Sequence, residues 1–306
     1  MTERAQPPAP FCLDRALLRR RSERAAAHYD QADFLPREIA RRMDERLDYI
    51  RIIPRRILDL GCATGADLVR LGERYPAAER IGIDFAAAML AHAHARFHPR
   101  RTLWQRLRPP LPSPRLIAAD AHRLPLPAAS VSLAWSNLTL PATDEPQTVF
   151  AELHRVLETG GLLMFSTFGP DTLRELRAAL PAHDGERVHR FIDMHDLGDA
   201  LVKTGFADPV MDMEMLTLTY PDLDALLADL RMAGAANAAV NRPRGLAGRH
   251  GWAAARENYA CLRHADRLPA SIEIIQGHAW KTPTTVHRPT PDDRAIVHFH
   301  PRRPAN

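Results

Sequence analysis

Three aspartates stand at or beside the ends of three short apolar runs: Asp59 two positions before Gly61, Asp84 nineteen positions after Gly65, and Asp120 after Leu116-Ile117-Ala118-Ala119. A carboxylate at Asp59 repels a pyrophosphate and suits an ammonium group. Asp84 is placed to accept both hydroxyls of a ribose, or else to cap a helix that starts at Phe85. Asp120 can accept from the amino group of an adenine while the Ala121 backbone N–H meets the ring. Three carboxylates at three successive strand ends are hard to explain as caps alone.

These residues need elements that bring them to one edge. Arg56-Ile57-Leu58-Asp59-Leu60 reads as a strand, Gly61-Cys62-Ala63-Thr64-Gly65 as a glycine turn, and the following ADLVRLGERY as a helix. Glycines in such a turn let a ligand come close to the carboxyl end of a sheet, although any α/β protein also needs tight turns there. A second strand, Glu79 to Asp84, leads into a helix from Phe85 to Phe97. Arg115 to Ala119 and Val131 to Trp135 are the next strands, followed by a helix from Glu145 to Leu157 that stops at Gly160-Gly161, and a buried strand from Leu162 to Thr167. Alternation at this spacing predicts a doubly wound, mostly parallel sheet covered on both faces.

Before the sheet, Leu17 to Ile50 carries helical spacing broken at Tyr29-Asp30 and Pro36, an N-terminal helical layer of two helices. After it come a helix from Asp196 to Thr204, an extended run from Val210 to Tyr220, a helix from Asp222 to Ala233 and a last strand from Ser271 to Ile275. Residues 1–16 and 282–306 read as tails, 17–281 as one domain, and His98 to Pro114 as a proline-rich insertion.

With 306 residues, 45% of them hydrophobic and 25% charged, the chain can bury a full core. No apolar run reaches the roughly 20 residues that cross a bilayer, and the first residues lack a secretory apolar region. Cys12, Cys62 and Cys261 are far apart, which fits a reducing cytoplasm and argues against a disulfide framework or a zinc site. His92 and His94 face different ways on a helix, and His298 and His300 lack a third ligand, so no metal is expected. A balance of 41 basic to 37 acidic residues, net +4, is too small to imply nucleic acid, but a local basic cluster would favour an acidic partner.

The set ILDLGCATG, IGIDFA, AADAHRLP and WSNLTL resembles the class I S-adenosylmethionine-dependent methyltransferases. The resemblance implies a Rossmann-like sheet of seven strands with one antiparallel strand near its edge. It also implies S-adenosyl-L-methionine as cofactor, lined by Asp59, Gly61, Ala63, Gly65, Asp84, Phe85, Asp120, Ala121 and Asn137. Ala63 stands where the family usually has glycine.

Outside this half, FGPDTLREL, the stretch from Arg190 to Arg249 and the closing GHAW resemble the biotin-pathway malonyl-carrier-protein O-methyltransferases, over about residues 18 to 281. This implies methyl transfer to the free carboxylate of a malonyl thioester on acyl carrier protein, with a C-terminal helical embellishment on the fold. Neither nucleic acid nor membrane is an expected partner. Arg242 and Arg244 are the candidates to receive the carboxylate, Tyr29 is the candidate lid, and LLRRRSER near the start is a candidate basic rim. Leu140-Pro141 stands where the family commonly has Gln-Trp. The competing readings are a paralogue acting on another acid or small molecule, and a non-catalytic binding or assembly-factor relative.

Overall fold

The computed structural model describes residues 11–98, 113–180, 185–245 and 248–283. The expected insertion and C-terminal tail lie almost wholly outside the described residues, as do His298 and His300.

Five strands alternate with helices from the middle of the chain: β1 (Arg56–Leu60), β2 (Glu79–Asp84), β3 (Arg115–Ala118), β4 (Val131–Ser136) and β5 (Leu157–Phe168). With β6 (Ala207–Tyr220) and β7 (Leu268–Trp280) they form one seven-stranded sheet in the order β3-β2-β1-β4-β5-β7-β6. β7 runs antiparallel to both β5 and β6, and the other pairings are parallel. The order reverses between β1 and β4, where the carboxyl ends diverge and leave a crevice. All six residues of β4 are buried, as a central strand covered on both faces requires.

One face is covered by α3 (Phe34–Arg46), α7 (Arg174–Ala179), α9 (Leu223–Met232) and α10 (Arg249–Ala260), which bury Met43, Leu176, Leu226 and Tyr259 against Trp135 and Met164. The other face is covered by α6 (Pro146–Val156) and α8 (Met194–Lys203), through Phe150, Leu153, Leu197 and Leu201. The remaining helices, α1 (Arg15–Ala25), α2 (Tyr29–Ala32), α4 (Ala66–Arg74) and α5 (Ala87–Phe97), gather around the carboxyl ends of β1 and β2. The helical embellishment is α9 and α10, inserted between β6 and β7.

Several expected boundaries are corrected. The N-terminal layer has three helices, because Pro36 falls in the first turn of α3, where its missing N–H costs no hydrogen bond. Residues 11–16 are held: Leu13 bridges Ala239, and the Asp14 side chain caps α1 by accepting from Leu17 N–H at 2.9 Å. α6 ends at Val156 and β5 begins at once, with an irregularity between its pairs Val131↔Leu157 and Leu133↔Leu162 taking up the residues around Gly160-Gly161. α7 and α10 carry no signal that the periodicity detected.

Candidate active site

A cavity of about 430 Å³ opens at the carboxyl ends of β1, β2 and β4. Gly61, Ala63, Asp84, Phe85 and Asn137 line its floor, and Leu18, Ser22 and Tyr29 from α1 and α2 form its roof. Beyond them it widens into an apolar chamber walled by Phe168, Leu176, Phe191, Leu218, Leu226 and Leu230.

The turn after β1 is tight for identifiable reasons. Gly61 has φ of 75°, and a Cβ there would lie 2.0 Å from the Thr139 hydroxyl oxygen. Gly65 has φ of 82° and abuts Ala93 and Phe97, so it shapes the turn from behind and does not line the cavity. Ala63 adopts φ of 44°, the left-handed region that favours glycine. Its N–H donates to Asp84 Oδ2 at 3.0 Å, while Ala86 N–H donates to Asp84 Oδ1 at 2.8 Å. Asp84 therefore ties the two turns together at the cavity floor, and α5 itself begins without a side-chain cap. Burial pushes the Asp84 carboxyl above its ordinary range, against the pull of these N–H donors.

Asp59 lies beneath the floor, 1% exposed, and its Oδ2 has no hydrogen-bond partner. Burial, reinforced by Asp67 and Asp84, raises its carboxyl well above the usual range. Asp67 accepts from Trp135 Nε1 at 2.9 Å and Asn137 Nδ2 at 3.1 Å, and burial raises it too. Two buried carboxyls thus lie behind the floor that Asp84 lines, and their raised state is one that a cationic ligand close by would relieve. Asn137 is fully engaged: it also donates to the Pro36 carbonyl at 2.9 Å and accepts from Ser166 at 2.8 Å.

Tyr29 covers the floor from α2, and burial together with the surrounding carboxylates holds its phenol above the ordinary range. A clamp that sequence reasoning missed fixes this cover. Thr64 donates to Asp30 at 2.5 Å, and Arg96 reaches both Asp30 at 2.6 Å and the Thr64 carbonyl at 2.8 Å.

Other expected residues fall elsewhere. Asp120 and Ala121 do not line the cavity; Asp120 accepts from His122 N–H and Nδ1 at 2.9 and 2.6 Å and from Arg15 at 3.2 Å, so α1 lies over that strand end. Arg242 is not at the cavity either. Its guanidinium donates to the Ala239 carbonyl at 2.8 Å and to Asp14 at 3.2 Å, clipping the start of α1 to the loop after α9. Arg244 is exposed and away from the cavity. Among the described residues, the arginines that do line it are Arg187 and Arg231, neither signalled by periodicity or motif.

Against known proteins, residues 58–165 match the methyltransferase domain family. A malonyl-[acyl-carrier protein] O-methyltransferase of Laribacter hongkongensis is 45% identical over 96% of this chain and 99% of its own length. One from Gallionella capsiferriformans is 47% identical over 94% of this chain and 97% of its own. The chain belongs to the malonyl-[acyl-carrier protein] O-methyltransferase family. Its fold is also that of a putative methyltransferase from Bacillus halodurans, at a TM-score of 0.54 and 13% identity over 79% of this chain and 99% of the other. As a member of the malonyl-[acyl-carrier protein] O-methyltransferases, the chain carries Leu140-Pro141 in a short 3₁₀ turn, Leu140–Ala142, where Leu140 is buried and Pro141 lines the cavity. The Pro141 backbone accepts a hydrogen bond from His189, so this turn is built into the cavity wall.

Proposed function

We propose that this chain transfers the methyl group of S-adenosylmethionine to the free carboxylate of a malonyl thioester carried on acyl carrier protein, in the cytoplasm. The reading rests chiefly on one observation: identity of 45 to 47% over nearly the whole length of relatives that bear that name. The shape of the cavity supports it, because a floor lined by Asp84, with Asp59 buried behind it, and an apolar chamber share one cavity.

The residues present fit the cofactor. The unpartnered Oδ2 of Asp59 and the raised carboxyls of Asp59 and Asp67 favour an ammonium-bearing ligand close above them. Asp84 would take the ribose hydroxyls, the backbone at Gly61 and Ala63 would approach the amino-acid portion, and Phe85 and Asn137 would flank it. Asp120 and Ala121 would reach the adenine once Arg15 releases the Asp120 carboxylate. The cofactor supplies an electrophilic methyl group on a sulfonium.

No general base is required of the protein. A malonyl carboxylate is ionised at neutral pH, so the walls need only position it in line with the methyl carbon and exclude water. Tyr29, held over the floor by the Asp30 clamp, would keep solvent from that line. The test is incubation with S-adenosylmethionine and malonyl-acyl carrier protein, followed by intact-mass analysis of the carrier. One added methyl group, located on the malonyl carboxylate by fragmentation of the released acyl group, supports the proposal; an unmodified carrier in the presence of measurable S-adenosylhomocysteine binding contradicts it.

A further inference from the structure

An anionic acceptor in this cavity needs a positive partner, and few groups on its walls qualify. Asp84 and Asp229 bring negative charge, the latter already accepting from the Tyr220 hydroxyl at 2.6 Å. His189 is kept neutral, because burial pushes its imidazole down to about 4 while the Pro141 backbone holds its N–H. Arg231 is exposed at the rim. Arg187 differs from all of these: its Nε is buried with no hydrogen-bond partner, and among the described residues no ion pair reaches its guanidinium. The neighbouring acid, Glu186, is engaged by Arg190 instead.

The backbone around Arg187 is pinned on both sides. Asn237 Nδ2 donates to the Glu186 carbonyl at 2.6 Å, and the Arg177 guanidinium donates to the His189 carbonyl at 3.3 Å. Val188 is buried, and the His189 ring packs between Phe11 and Phe191 at centroid separations of 4.9 and 4.8 Å. An arginine on a pinned backbone with a buried, unpaired Nε–H costs stability in the free protein. Such a cost makes physical sense where a ligand supplies the missing acceptor.

We propose that Arg187 receives the carboxylate of the acceptor, an inference that rests on the carboxylate-methylation reading. The guanidinium engages one carboxylate oxygen and leaves the other to attack. A bond forms between that oxygen and the methyl carbon, the carbon–sulfur bond breaks, and its electron pair stays on sulfur as a neutral thioether. The product ester carries no charge, so Arg187 loses its partner as the bond forms and the product is released while a fresh acid is retained.

The test measures binding of malonyl-acyl carrier protein and of its methyl ester to the full chain saturated with S-adenosylhomocysteine. Wild type is expected to prefer the free acid by at least about 30-fold. Arg187→Met and Arg187→Gln are expected to bring that preference close to unity, with S-adenosylhomocysteine affinity unchanged and with Tm equal to or above wild type. A merely structural arginine would instead lower Tm and weaken both carriers equally, and that outcome overturns the assignment, as does a variant that no longer folds. An intact acid preference in either variant, while wild type still methylates malonyl-carrier, overturns Arg187 and leaves the acceptor reading standing. Loss of the preference in Arg231→Gln in place of the Arg187 variants moves the carboxylate to the rim and likewise overturns it. Absence of methylation by wild type overturns the acceptor reading and this inference with it.

Discussion

Asp59 and Ala63 are the two positions where the fold carries a local cost at the cavity. Asp59 is buried beside Asp67 and Asp84 with its carboxyl raised well above the ordinary range. For an acid whose folded value is raised, the native state holds more protons than the unfolded chain, so stability falls as pH rises from the ordinary carboxylate value through the raised one. Asp59→Asn is therefore expected to raise Tm of the free protein at neutral pH and to flatten that fall, while weakening S-adenosylmethionine binding. Thermal melts across the acidic to neutral range, paired with calorimetric titration, check both halves; a lowered Tm at neutral pH contradicts the account of Asp59. Ala63 pays for a side chain at φ of 44°, and Ala63→Gly should stabilise the chain by about 1 kcal/mol once the extra freedom of glycine is offset. Chemical denaturation measures this, and cofactor affinity should be equal or tighter. Asp84, Gly61 and Ala63 were legible because spacing along two successive strand–turn–helix units fixes where they stand. Arg187 was not, since its position depends on a loop packed between α7 and α9, and Arg242 misled because its partner, Asp14, is distant in sequence.

α1 does two jobs that its run of arginines conceals. Arg19 donates to the Phe85 carbonyl at 2.8 Å, and Arg21 donates to the Ala236 carbonyl at 2.7 Å and to that of Asn237, so both tie α1 to residues that line the cavity. Arg20 and Arg24 are exposed and stand one turn apart on the outer side of the same helix. If an acidic carrier docks beside the cavity mouth, Arg20→Glu with Arg24→Glu should lower kcat/KM for the carrier-bound substrate about tenfold at low salt. The same pair should leave malonyl-coenzyme A turnover and S-adenosylhomocysteine affinity unchanged. Equal loss with both substrates would argue against docking on α1. The strands and most helices were readable because period and glycine punctuation agree over whole segments. α7, with six residues, is too short to show a period, and α10 buries only Ala255 and Tyr259 on a chain segment rich in alanine and polar residues.

Taken as a unit, the molecule converts a common sheet order into one cavity with chemically unlike ends. The reversal between β1 and β4 supplies the crevice, α1 and α2 roof it, and α9, inserted between β6 and β7, extends it into an apolar chamber. Sequence pattern conveyed the sheet and the carboxylate-rich floor; the far wall is assembled from segments 50 or more residues apart, such as Glu186 with Asn237, and only packing brings them together. The net charge of +4 is small, so any attraction for a carrier must come from local clusters, not from the whole surface. The most direct measurement of the central claim is a competition in which limiting, methyl-labelled S-adenosylmethionine is offered an equimolar mixture of malonyl-, succinyl- and acetyl-acyl carrier proteins. The expected result is label in the malonyl group of its carrier as a methyl ester, with little on succinyl and none on acetyl. Label concentrated on another carrier, or none transferred by protein that binds S-adenosylhomocysteine, would contradict it.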